Sequence, residues 1–470
     1  MESLNTETKL IIVEIQGDTL TPISIFQRLQ GKKKFLLESS LKHENSGRFS
    51  FIGAQPFKEL TGYEDRCQLV DKNGVKEMAG KPLEVLKEIM AKDHLDVEPL
   101  FPFVGGAVGF AGYDAIRQYE NIGAVPKDEI NVPDIHFLFF EVIVVFDHLE
   151  QKIYLVGAPH VNGSSEEALL EQIKDVQKQI LNPVPQTEEK EAKLTAFKAS
   201  IPKQEFIKHV ENAKKYIEEG DIFQVVLSQR LKAKIEGDPF SLYRKLRIKN
   251  PSPYMYYFDF SDYYIAGVSP ESLIKVSGKN VITNPIAGTR PRGKNETEDK
   301  QLAQDLLADE KELAEHKMLV DLGRNDLGRV CKFGSVHLSK YLQIERFKHV
   351  IHLVSEVEGE LKDECSPIDA LISTLPAGTV SGAPKIRAME IINEMENVKR
   401  GIYSGAIGYF SSNGNLDFAL AIRTMVIKGN EAFIQAGAGI VHDSIPEKEY
   451  EETIHKLKMF LEENVDDFIN

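Results

Sequence analysis

The hydrophobic pattern changes period along the chain, and the period predicts both strands and helices. Phe137–Phe146 is a long apolar run, typical of one buried strand. Short apolar segments around a polar turn, Phe35–Ser39 and Arg48–Ile52, predict a pair of strands. Apolar residues recur at helical spacing in Glu166–Ile180 and Lys203–Glu219, so helices are predicted there. Because few segments alternate strand and helix in a tight rhythm, we predict an α+β fold with large mixed or antiparallel sheets and helices around them.

The polar segment Leu181–Ser200 interrupts this pattern. It carries two prolines and a charged run, which favours a linker or an exposed crossing. We therefore predict an N-terminal domain over residues 1–185 and a second domain over residues 186–470. The elements predicted after the linker are a strand at Phe223–Ala233, a helix near Pro239–Lys249 and an aromatic strand pair at Tyr254–Phe258 and Tyr264–Val268.

The segment Gln435–Lys456 predicts a strand, a glycine turn and a helix in succession. An apolar strand precedes Gly437 and Gly439, and these glycines allow the backbone to approach a ligand closely. Ser444 stands three residues before Glu447, the spacing of a capping box. The helix then has one apolar face, formed by Tyr450, Ile454, Leu457 and Leu461.

Two pairs of glutamates lie at helical spacing. Glu449 and Glu452 share the polar face of the last helix with Lys456, and Glu312 and Glu315 lie on another predicted helix. Each pair alone is typical of a solvated helix face. If the pairs met across a cleft, each like-charge contact would cost about 3 kcal/mol at ~5 Å and an effective dielectric of ~20. A divalent cation removes that cost, and Mg²⁺ suits carboxylates combined with substrate oxygens.

Other candidate groups are a buried arginine, a histidine and several glycine-bearing loops. Arg423 lies within an apolar segment that predicts a strand, so its guanidinium needs a carboxylate partner, either internal or from a substrate. His352 is also flanked by apolar residues, which is typical of a satisfied core residue or of a proton carrier near pH 7. Loops beside Thr289, Thr379 and Ser381 expose backbone N–H groups suited to carboxylates, although none matches a phosphate-binding motif.

Composition narrows the class of protein. The formal net charge of −15 argues against a nucleic-acid partner, which needs a basic face. Cys67, Cys331 and Cys365 show no CxxC pairing, which fits a reducing compartment. The first residues do not match a signal peptide, and no apolar run reaches the ~18 residues of a membrane span. We therefore expect a cytoplasmic protein that does not act in a membrane.

Five motifs in order resemble one known family. They are GTRPRG at 288–293, VDLGRNDLGRV at 320–330, HLVSEVEG at 352–359, PAGTVSGAPKIRAMEII at 376–392 and QAGAGIV from Gln435. Together they resemble the chorismate-utilising enzymes and, within them, the large subunits of anthranilate synthases. The resemblance covers about residues 195–465 and reaches the N-terminal region through LLES at 36–39 and FVGGAVGFAGYD at 103–114.

Two positions separate the close relatives within that family. Isochorismate and salicylate synthases have a lysine that activates water where this chain has Gln224. Aminodeoxychorismate synthase has a nucleophilic lysine where this chain has Ala287. The resemblance therefore implies direct attack of ammonia on chorismate, and aminodeoxychorismate synthase remains the alternative. A non-catalytic regulatory subunit is disfavoured because the family's metal ligands and general acid are present.

The resemblance also implies the site. It makes Glu315 and Glu452 Mg²⁺ ligands, with Glu312 and Glu449 close by, and it makes Glu271 the acid that protonates the departing C4 hydroxyl. Thr289 and His352 join Glu271 as catalytic residues. The substrate-binding residues implied are Gln224, Ala287, Gly288, Thr289, Tyr409, Arg423, Gly437, Ala438, Gly439 and Lys456.

The family's reaction is amination of chorismate at C2, loss of the C4 hydroxyl and elimination of pyruvate to leave anthranilate, the first step of tryptophan biosynthesis. Ammonia normally comes from a glutamine amidotransferase subunit, which the cysteines of this chain do not replace because none lies in a GxCxG context. The resemblance also implies feedback inhibition by tryptophan. The residues that would bind this inhibitor are Ser39, Pro253, Tyr254 and Met255.

Overall fold

The computed structural model describes residues 9–40, 47–97, 100–160, 163–182, 190–346 and 350–461. In chain order, its strands are β1 Ile11–Gln16, β2 Lys34–Glu38, β3 Phe49–Gly53, β4 Lys58–Tyr63, β5 Arg66–Asp71, β6 Gly74–Ala79, β7 Gly106–Ala111, β8 Ile135–Phe140, β9 Val142–Asp147, β10 Lys152–Gly157, β11 Lys193–Leu194, β12 Lys198–Ala199, β13 Gln224–Glu236, β14 Tyr254–Asp259, β15 Tyr263–Ser269, β16 Ser272–Ser277, β17 Asn280–Thr283, β18 Ile286–Pro291, β19 His337–Arg346, β20 Val350–Glu360, β21 Gly382–Ala383, β22 Ala406–Ser411, β23 Leu416–Leu420, β24 Thr424–Lys428 and β25 Glu431–Ile440.

The α-helices are α1 Pro22–Arg28, α2 Pro82–Lys92, α3 Glu166–Leu181, α4 Lys203–Glu218, α5 Pro239–Lys249, α6 Glu296–Ala308, α7 Glu310–Val330, α8 Pro367–Thr374, α9 Lys385–Met395 and α10 Pro446–Leu457. Most helices predicted from apolar spacing are confirmed to within one residue. Within the described ranges, every helix is too short or too polar to cross a membrane.

Two antiparallel sheets contain the described strands. The first has the order β1-β10-β9-β3-β2-β14-β15-β24-β25-β13-β11, with β12 and β21 also paired to β13. The second has the order β18-β20-β17-β16-β23-β22-β7-β8-β4-β5-β6, with β19 also paired to β20. The predicted α+β class with antiparallel sheets and surrounding helices is confirmed.

Each sheet combines strands from both ends of the chain. In the first sheet, β2 pairs with β14, and in the second sheet β7 pairs with β22. The predicted boundary between residues 185 and 186 lies within 183–189, outside the described residues, so the two-domain division stays a prediction.

Aromatic side chains fill the space between the two sheets. Phe35 on β2 lies with its ring centroid 4.8 Å from that of Phe140 on β8, and Phe258 on β14 belongs to the same buried cluster. Helices cover the outer faces: α4, α5, α9 and α10 contribute to the core on the first sheet, and α2, α7 and α8 contribute to the core on the second. Burying large aromatic side chains is the dominant favourable contribution to packing of this kind.

The prediction of one strand over Phe137–Phe146 is wrong. The run forms two strands, β8 and β9, which belong to different sheets. Glu141 lies between them, and its buried carboxylate accepts hydrogen bonds from the Ser164 amide at 2.7 Å and from the Ser164 hydroxyl at 2.8 Å. Glu141 is the one polar residue in Phe137–Phe146, and it marks the crossing between the two strands, whose other residues are nearly all buried.

The predicted glycine turn and capping box near the end of the chain are also wrong. Gly437 and Gly439 lie inside β25, which continues to Ile440. A Cβ atom on Gly437 would lie 2.8 Å from the Leu227 carbonyl oxygen, so close packing rather than a turn requires glycine there. Helix α10 begins at Pro446 after an N-cap residue without a side-chain hydrogen bond, and the Ser444 hydroxyl instead accepts from the Val441 amide.

Candidate active site

The paired strands β13 and β25 form one side of the candidate site, which is called its floor below. Val226 pairs with Gly439, Leu227 pairs with Ala438 and Ser228 pairs with Gly437. Gln224, at the start of β13, is buried, and its Nε2 donates to Glu315 Oε1 at 2.9 Å. In the described part of the chain, Gln224 Oε1 is buried without a hydrogen-bond partner. An unpaired buried acceptor of this kind is costly unless a ligand donates to it.

Helix α10 brings a second carboxylate to the same floor. Lys456 Nζ donates to the Gly437 carbonyl oxygen at 2.9 Å and lies 2.7 Å from Glu452 Oε1. Glu315 is therefore connected to this strand pair through Gln224, and Glu452 is connected through Lys456. Gln224 Nε2 lies 2.7 Å from the point that a Cβ on Gly439 would occupy, and Lys456 bonds to Gly437 two residues away, so the side chains that contact the two glutamates reach the same stretch of β25.

The neighbouring glutamates have raised pKa values. Burial raises the pKa of Glu312, which Arg290 lowers and the nearby Glu315 charge raises further. Burial likewise raises the pKa of Glu449, and the charge of Glu452 adds to the effect. Carboxylates on the same helix therefore repel one another, and the meeting of the two pairs across a cleft stays a prediction.

These carboxylates fit a magnesium ion better than a caged metal. In the described residues, no group of three or more His, Cys, Asp or Glu side chains is arranged to hold a metal ion. Glu315 is half-buried and Glu452 is 47% exposed. One or two carboxylates with room for water and substrate oxygens is the arrangement Mg²⁺ usually accepts.

Glu271 lies in the loop between β15 and β16. Its backbone is fixed by the Leu420 amide, which donates to the Glu271 carbonyl oxygen at 3.0 Å. The Thr379 hydroxyl donates to Glu271 Oε1 at 2.7 Å. Burial raises the pKa of Glu271 to about 7, although the Thr379 hydrogen bond and the charge of Lys456 lower it. A carboxyl group that is half protonated near neutral pH is suited to general acid catalysis.

The edge of the second sheet supplies Thr289 and His352. The two residues pair across β18 and β20 beside a bulge at Gly288, whose φ of +72° favours glycine. His352 Nδ1 lies 3.0 Å from the Gly288 carbonyl oxygen and 3.1 Å from Thr289 Oγ1. Burial lowers the pKa of His352, so the ring is neutral near pH 7, with its proton on Nδ1 because a carbonyl can only accept. A Cβ on Gly288 would lie 3.2 Å from Glu312 Oε2, which places this edge against α7.

Ala287 lies next to Gly288 and pairs with Leu353. Its methyl group offers no amine, so no lysine occupies the position that the aminodeoxychorismate synthases use in the family resemblance described above.

Arg423 is half-buried, and it is not part of the strand that the sequence predicts. It lies between β23 and β24 with φ +52°, and its guanidinium donates to the Lys456 carbonyl oxygen. Within the described ranges, this carbonyl takes the place of the internal carboxylate that the sequence suggested. Burial lowers the pKa of Arg423, which the nearby Tyr403 and Glu452 raise. A half-buried guanidinium that bonds to a carbonyl, with no ion pair among the described residues, is suited to an anionic ligand.

Tyr409 does not belong to this site, so its assignment to a carboxylate clamp is wrong. It lies on β22, where its ring centroid is 4.7 Å from that of Phe103. Tyr403, six residues earlier, takes its place: its hydroxyl lies 3.0 Å from the point that a Cβ on Gly437 would occupy. Both tyrosines belong to the motif GIYSGAIGY, and only the start of β22 at Ala406 distinguishes the loop residue from the core residue.

A second cavity of about 350 Å³ lies between the two sheets. The four residues expected to bind an inhibitor, Ser39, Pro253, Tyr254 and Met255, all line it, together with Tyr409. The Tyr254 hydroxyl donates to Asp417 Oδ1 at 2.9 Å. This volume is within the range of small-molecule sites.

Comparisons with known proteins show the family of this chain. A family model described as chorismate binding enzyme matches residues 32–462. The chain is 49% identical to anthranilate synthase component 1 of Acetivibrio thermocellus, over 96% of this chain and 94% of the relative. It is 45% identical to anthranilate synthase component 1 of Lactococcus lactis, over 96% of this chain and 98% of the relative.

Solved structures give the same result. Anthranilate synthase component I from Streptococcus pneumoniae has a TM-score of 0.82 and 46% identity, over 95% of this chain and 98% of that chain. The menaquinone-specific isochorismate synthase of Escherichia coli shares the fold. Its TM-score is 0.73 at 19% identity, over 98% of this chain and 95% of that chain. The chain therefore belongs to the chorismate-binding enzymes, in the branch of anthranilate synthase component I.

Proposed function

We propose that this chain aminates chorismate with ammonia and eliminates pyruvate to give anthranilate, the first step of tryptophan biosynthesis. The observation that carries the proposal is Glu271, a carboxyl group with a pKa of about 7 that is near Lys456 and hydrogen-bonded to Thr379. Such a group can protonate the C4 hydroxyl as it leaves, while ammonia attacks C2.

Residues around Glu271 have complementary roles in the proposal. Arg423 and the Tyr403 hydroxyl bind the enolpyruvyl carboxylate beside the Gly437–Gly439 backbone. The unpaired Gln224 Oε1 supports ammonia as nucleophile, since an amide oxygen accepts an N–H group but does not deprotonate water. Neutral His352, with its Nδ1 proton held by the Gly288 carbonyl, offers an unprotonated Nε2 for proton transfer in the elimination step.

Glu315 and Glu452 would hold Mg²⁺ in this proposal. The ion would supply positive charge for the ring carboxylate of chorismate. The acidic protein can accept a dianion because the metal, Arg423 and Lys456 offset the glutamates locally.

The chain needs a partner to use glutamine. Its relatives are called component 1, which supports a second component. Burial raises the pKa of the Cys67 and Cys331 thiols to about 11, and burial also raises the pKa of Cys365. Thiols of this kind are poor nucleophiles at neutral pH. We therefore propose a glutamine amidotransferase subunit as the source of ammonia.

We also propose that tryptophan binds in the 350 Å³ cavity between the sheets and inhibits the enzyme. Rings of Phe51 and Tyr409 line this cavity beside the carboxylates of Glu38 and Asp417, which suits an aromatic amino acid with a charged amino group.

Anthranilate fluorescence tests the proposed reaction. The purified chain is incubated with chorismate, Mg²⁺ and ammonium at pH about 8, where ammonia is available. Appearance of anthranilate supports the proposal. Accumulation of 4-amino-4-deoxychorismate would instead identify an aminodeoxychorismate synthase, and tryptophan binding without any turnover would identify a regulatory subunit.

A further inference from the structure

Arg400 lies beneath the candidate active site, and its side chain is 1% exposed. Its Nε and Nη2 donate to the two carboxylate oxygens of Glu396 at 2.7 and 2.6 Å. Nη2 also donates to the Val226 carbonyl oxygen at 2.7 Å, and Nη1 donates to the Val380 carbonyl oxygen at 2.7 Å and to Ser404 Oγ at 3.4 Å. These bonds use all five N–H groups of a guanidinium.

Two aromatic rings contact the same guanidinium. Its central carbon lies 4.8 Å from the ring centroid of Tyr113 and 5.6 Å from that of Tyr403. Only arginine combines a planar face for rings with an in-plane fork of donors. Lysine at this position would retain the charge but lose most of these contacts.

The partners of Arg400 are in contact with, or next in sequence to, residues of the candidate active site. Val226 pairs with Gly439. Glu396 Oε1 also accepts from the amide and the hydroxyl of Ser228, at 2.8 and 2.9 Å, and Ser228 pairs with Gly437. The guanidinium and its carboxylate therefore hold the strand that faces the β25 glycines.

The other contacts of Arg400 connect it to the general acid Glu271 and to Tyr403. Val380 directly follows Thr379, whose hydroxyl donates to Glu271. The Tyr403 ring contacts the guanidinium, and its hydroxyl lies beside Gly437. One buried side chain thus connects three segments that are far apart in sequence and that meet only at the proposed site.

We propose that Arg400 is a positioning residue for the reaction. Its guanidinium fixes the relative placement of the β13–β25 pair, the Thr379–Val380 turn that orients Glu271, and the Tyr403 ring. This inference rests on the proposed function. A buried arginine that only stabilised the fold would change the melting temperature without selectively changing the step that depends on Glu271.

The main test is Arg400→Lys, assayed with ammonium as nitrogen source in the full chain. We expect kcat to fall about 50-fold while KM for chorismate changes less than about 3-fold, because the orientation of the acid matters in the transition state. The high-pH limb of kcat should move to higher pH, since a weakened Thr379 hydrogen bond raises the pKa of Glu271. Unchanged kcat and an unchanged pH profile in a folded Arg400→Lys protein would overturn the proposal.

A double-mutant cycle separates positioning from general stability. Thr379→Val removes the hydroxyl at nearly constant volume, and Thr379→Ser should restore most activity. If Arg400 acts through the turn, the kcat losses of Arg400→Lys and Thr379→Val should be clearly less than multiplicative in the double variant. Multiplicative losses would argue that the two residues act independently.

Lys58→Met serves as a matched destabilised control. Lys58 is a buried cation whose Nζ lies 2.6 Å from the buried Asp93 carboxylate, on the β4 side of the second sheet. This variant should melt at a lower temperature but keep the wild-type kcat. A similar loss of kcat in Lys58→Met would show that instability alone explains the Arg400 result.

Tyr113 provides a second route if Arg400→Lys does not fold. In the described residues, the Tyr113 hydroxyl is buried without a hydrogen-bond partner, so Tyr113→Phe should leave kcat unchanged. Tyr113→Leu removes one ring from the guanidinium and should lower kcat about 5-fold at nearly constant KM. Equal kcat in the two variants would contradict the positioning role. The wild-type assay tests the proposed function itself, whereas only ratios to the wild type test Arg400.

Discussion

The candidate active site, here called the first cavity, and the cavity between the sheets, the second, differ in how their charges are paired. At the candidate active site, the Arg423 guanidinium bonds to a carbonyl, Gln224 Oε1 has no hydrogen-bond partner among the described residues, and the pKa of Glu271 is about 7. In the cavity between the sheets, Asp417 already accepts from Tyr254, and Glu38 accepts from Arg247 and Tyr243. The first arrangement leaves polar groups available to a reacting ligand. In the second, the carboxylates already accept hydrogen bonds from the protein, which suits binding of a ligand without reaction.

The largest expected effect is the loss of kcat when Glu271 in the candidate active site is replaced, with no change in the second cavity. Glu271→Gln should lower kcat about 1000-fold, because general acids contribute roughly 100- to 10,000-fold. Tryptophan binding, measured by calorimetry, should stay within about 2-fold of the wild type. For the wild-type chain, kcat corrected for the concentration of free ammonia should fall as the pH rises through about 7, where Glu271 loses its proton. A Glu271→Gln protein with wild-type kcat would remove the distinction between the cavities.

The same substitution should stabilise the protein at alkaline pH. The pKa of Glu271 is raised from 4.5 to about 7 in the folded chain, so ionisation opposes folding. The cost is absent below pH ~4.5, grows as the pH rises and is complete above pH ~7, where it amounts to about 3 kcal/mol. Denaturation by urea should show Glu271→Gln more stable than the wild type at pH 8 by up to that amount and nearly equal to it at pH 4. Equal stability at both pH values would indicate that Glu271 is not desolvated.

A smaller effect should distinguish the carboxylates around the proposed metal ion. Glu452→Gln should weaken the apparent affinity for Mg²⁺ about 50-fold in the anthranilate assay, since a ligand and its orienting contact to Lys456 are both altered. Glu451→Gln, an exposed neighbour on α10, is the matched control and should have no effect. Chelation of Mg²⁺ should abolish turnover in all these proteins but leave tryptophan binding intact. Equal Mg²⁺ dependence in Glu452→Gln and the wild type would exclude Glu452 as a ligand.

The smallest expected effect belongs to the second cavity. Tyr254→Phe leaves Asp417 without its donor, so tryptophan should inhibit about 10-fold less strongly, which corresponds to about 1.4 kcal/mol. The value of kcat without tryptophan should stay within about 2-fold of the wild type. Loss of kcat together with unchanged inhibition would indicate that the two cavities have been assigned the wrong way round.

The sequence predicted which residues are candidates for the sites better than it predicted the burial and hydrogen bonds of those residues. The spacing of Glu312 and Glu315 predicted their helix, and the four residues expected to bind an inhibitor, Ser39 and Pro253–Met255, do line one cavity. These successes rest on local periodicity and on long motifs that fix a residue's position. Glu271 was found only through the family resemblance, because its pKa depends on burial and on a hydrogen bond from Thr379, which is distant in sequence.

The errors have a common physical origin in tertiary packing. Gly437 and Gly439 look like a turn in sequence, but they are strand residues on which Cβ atoms would collide with neighbouring groups. Arg423 looks like a strand residue but has a positive φ. Tyr403 and Tyr409 are equivalent candidates until the strand boundary is known. Arg400 gave no signal in the sequence, because its partners Val226 and Val380 act through backbone carbonyls, which every residue has.

Strand β2 pairs with β14, and β7 pairs with β22, and both pairings join strands that are far apart in the chain. This has a consequence for synthesis on the ribosome. Strands β1, β10, β9, β3 and β2 form one contiguous block, and β7, β8, β4, β5 and β6 form another, so in each block one edge strand, β2 or β7, lacks a partner until a later part of the chain is made. Counted from the last strand of each block to be made, β10 or β8, the partner strands follow after roughly 100 and 270 residues, which at about 5–20 residues per second means a delay of about 5 seconds or longer. During that interval the nascent chain displays two unpaired strand edges that invite association with other chains. Shielding by a chaperone, or slow release, should therefore raise the yield of folded enzyme more than it would for a protein whose sheets close in chain order.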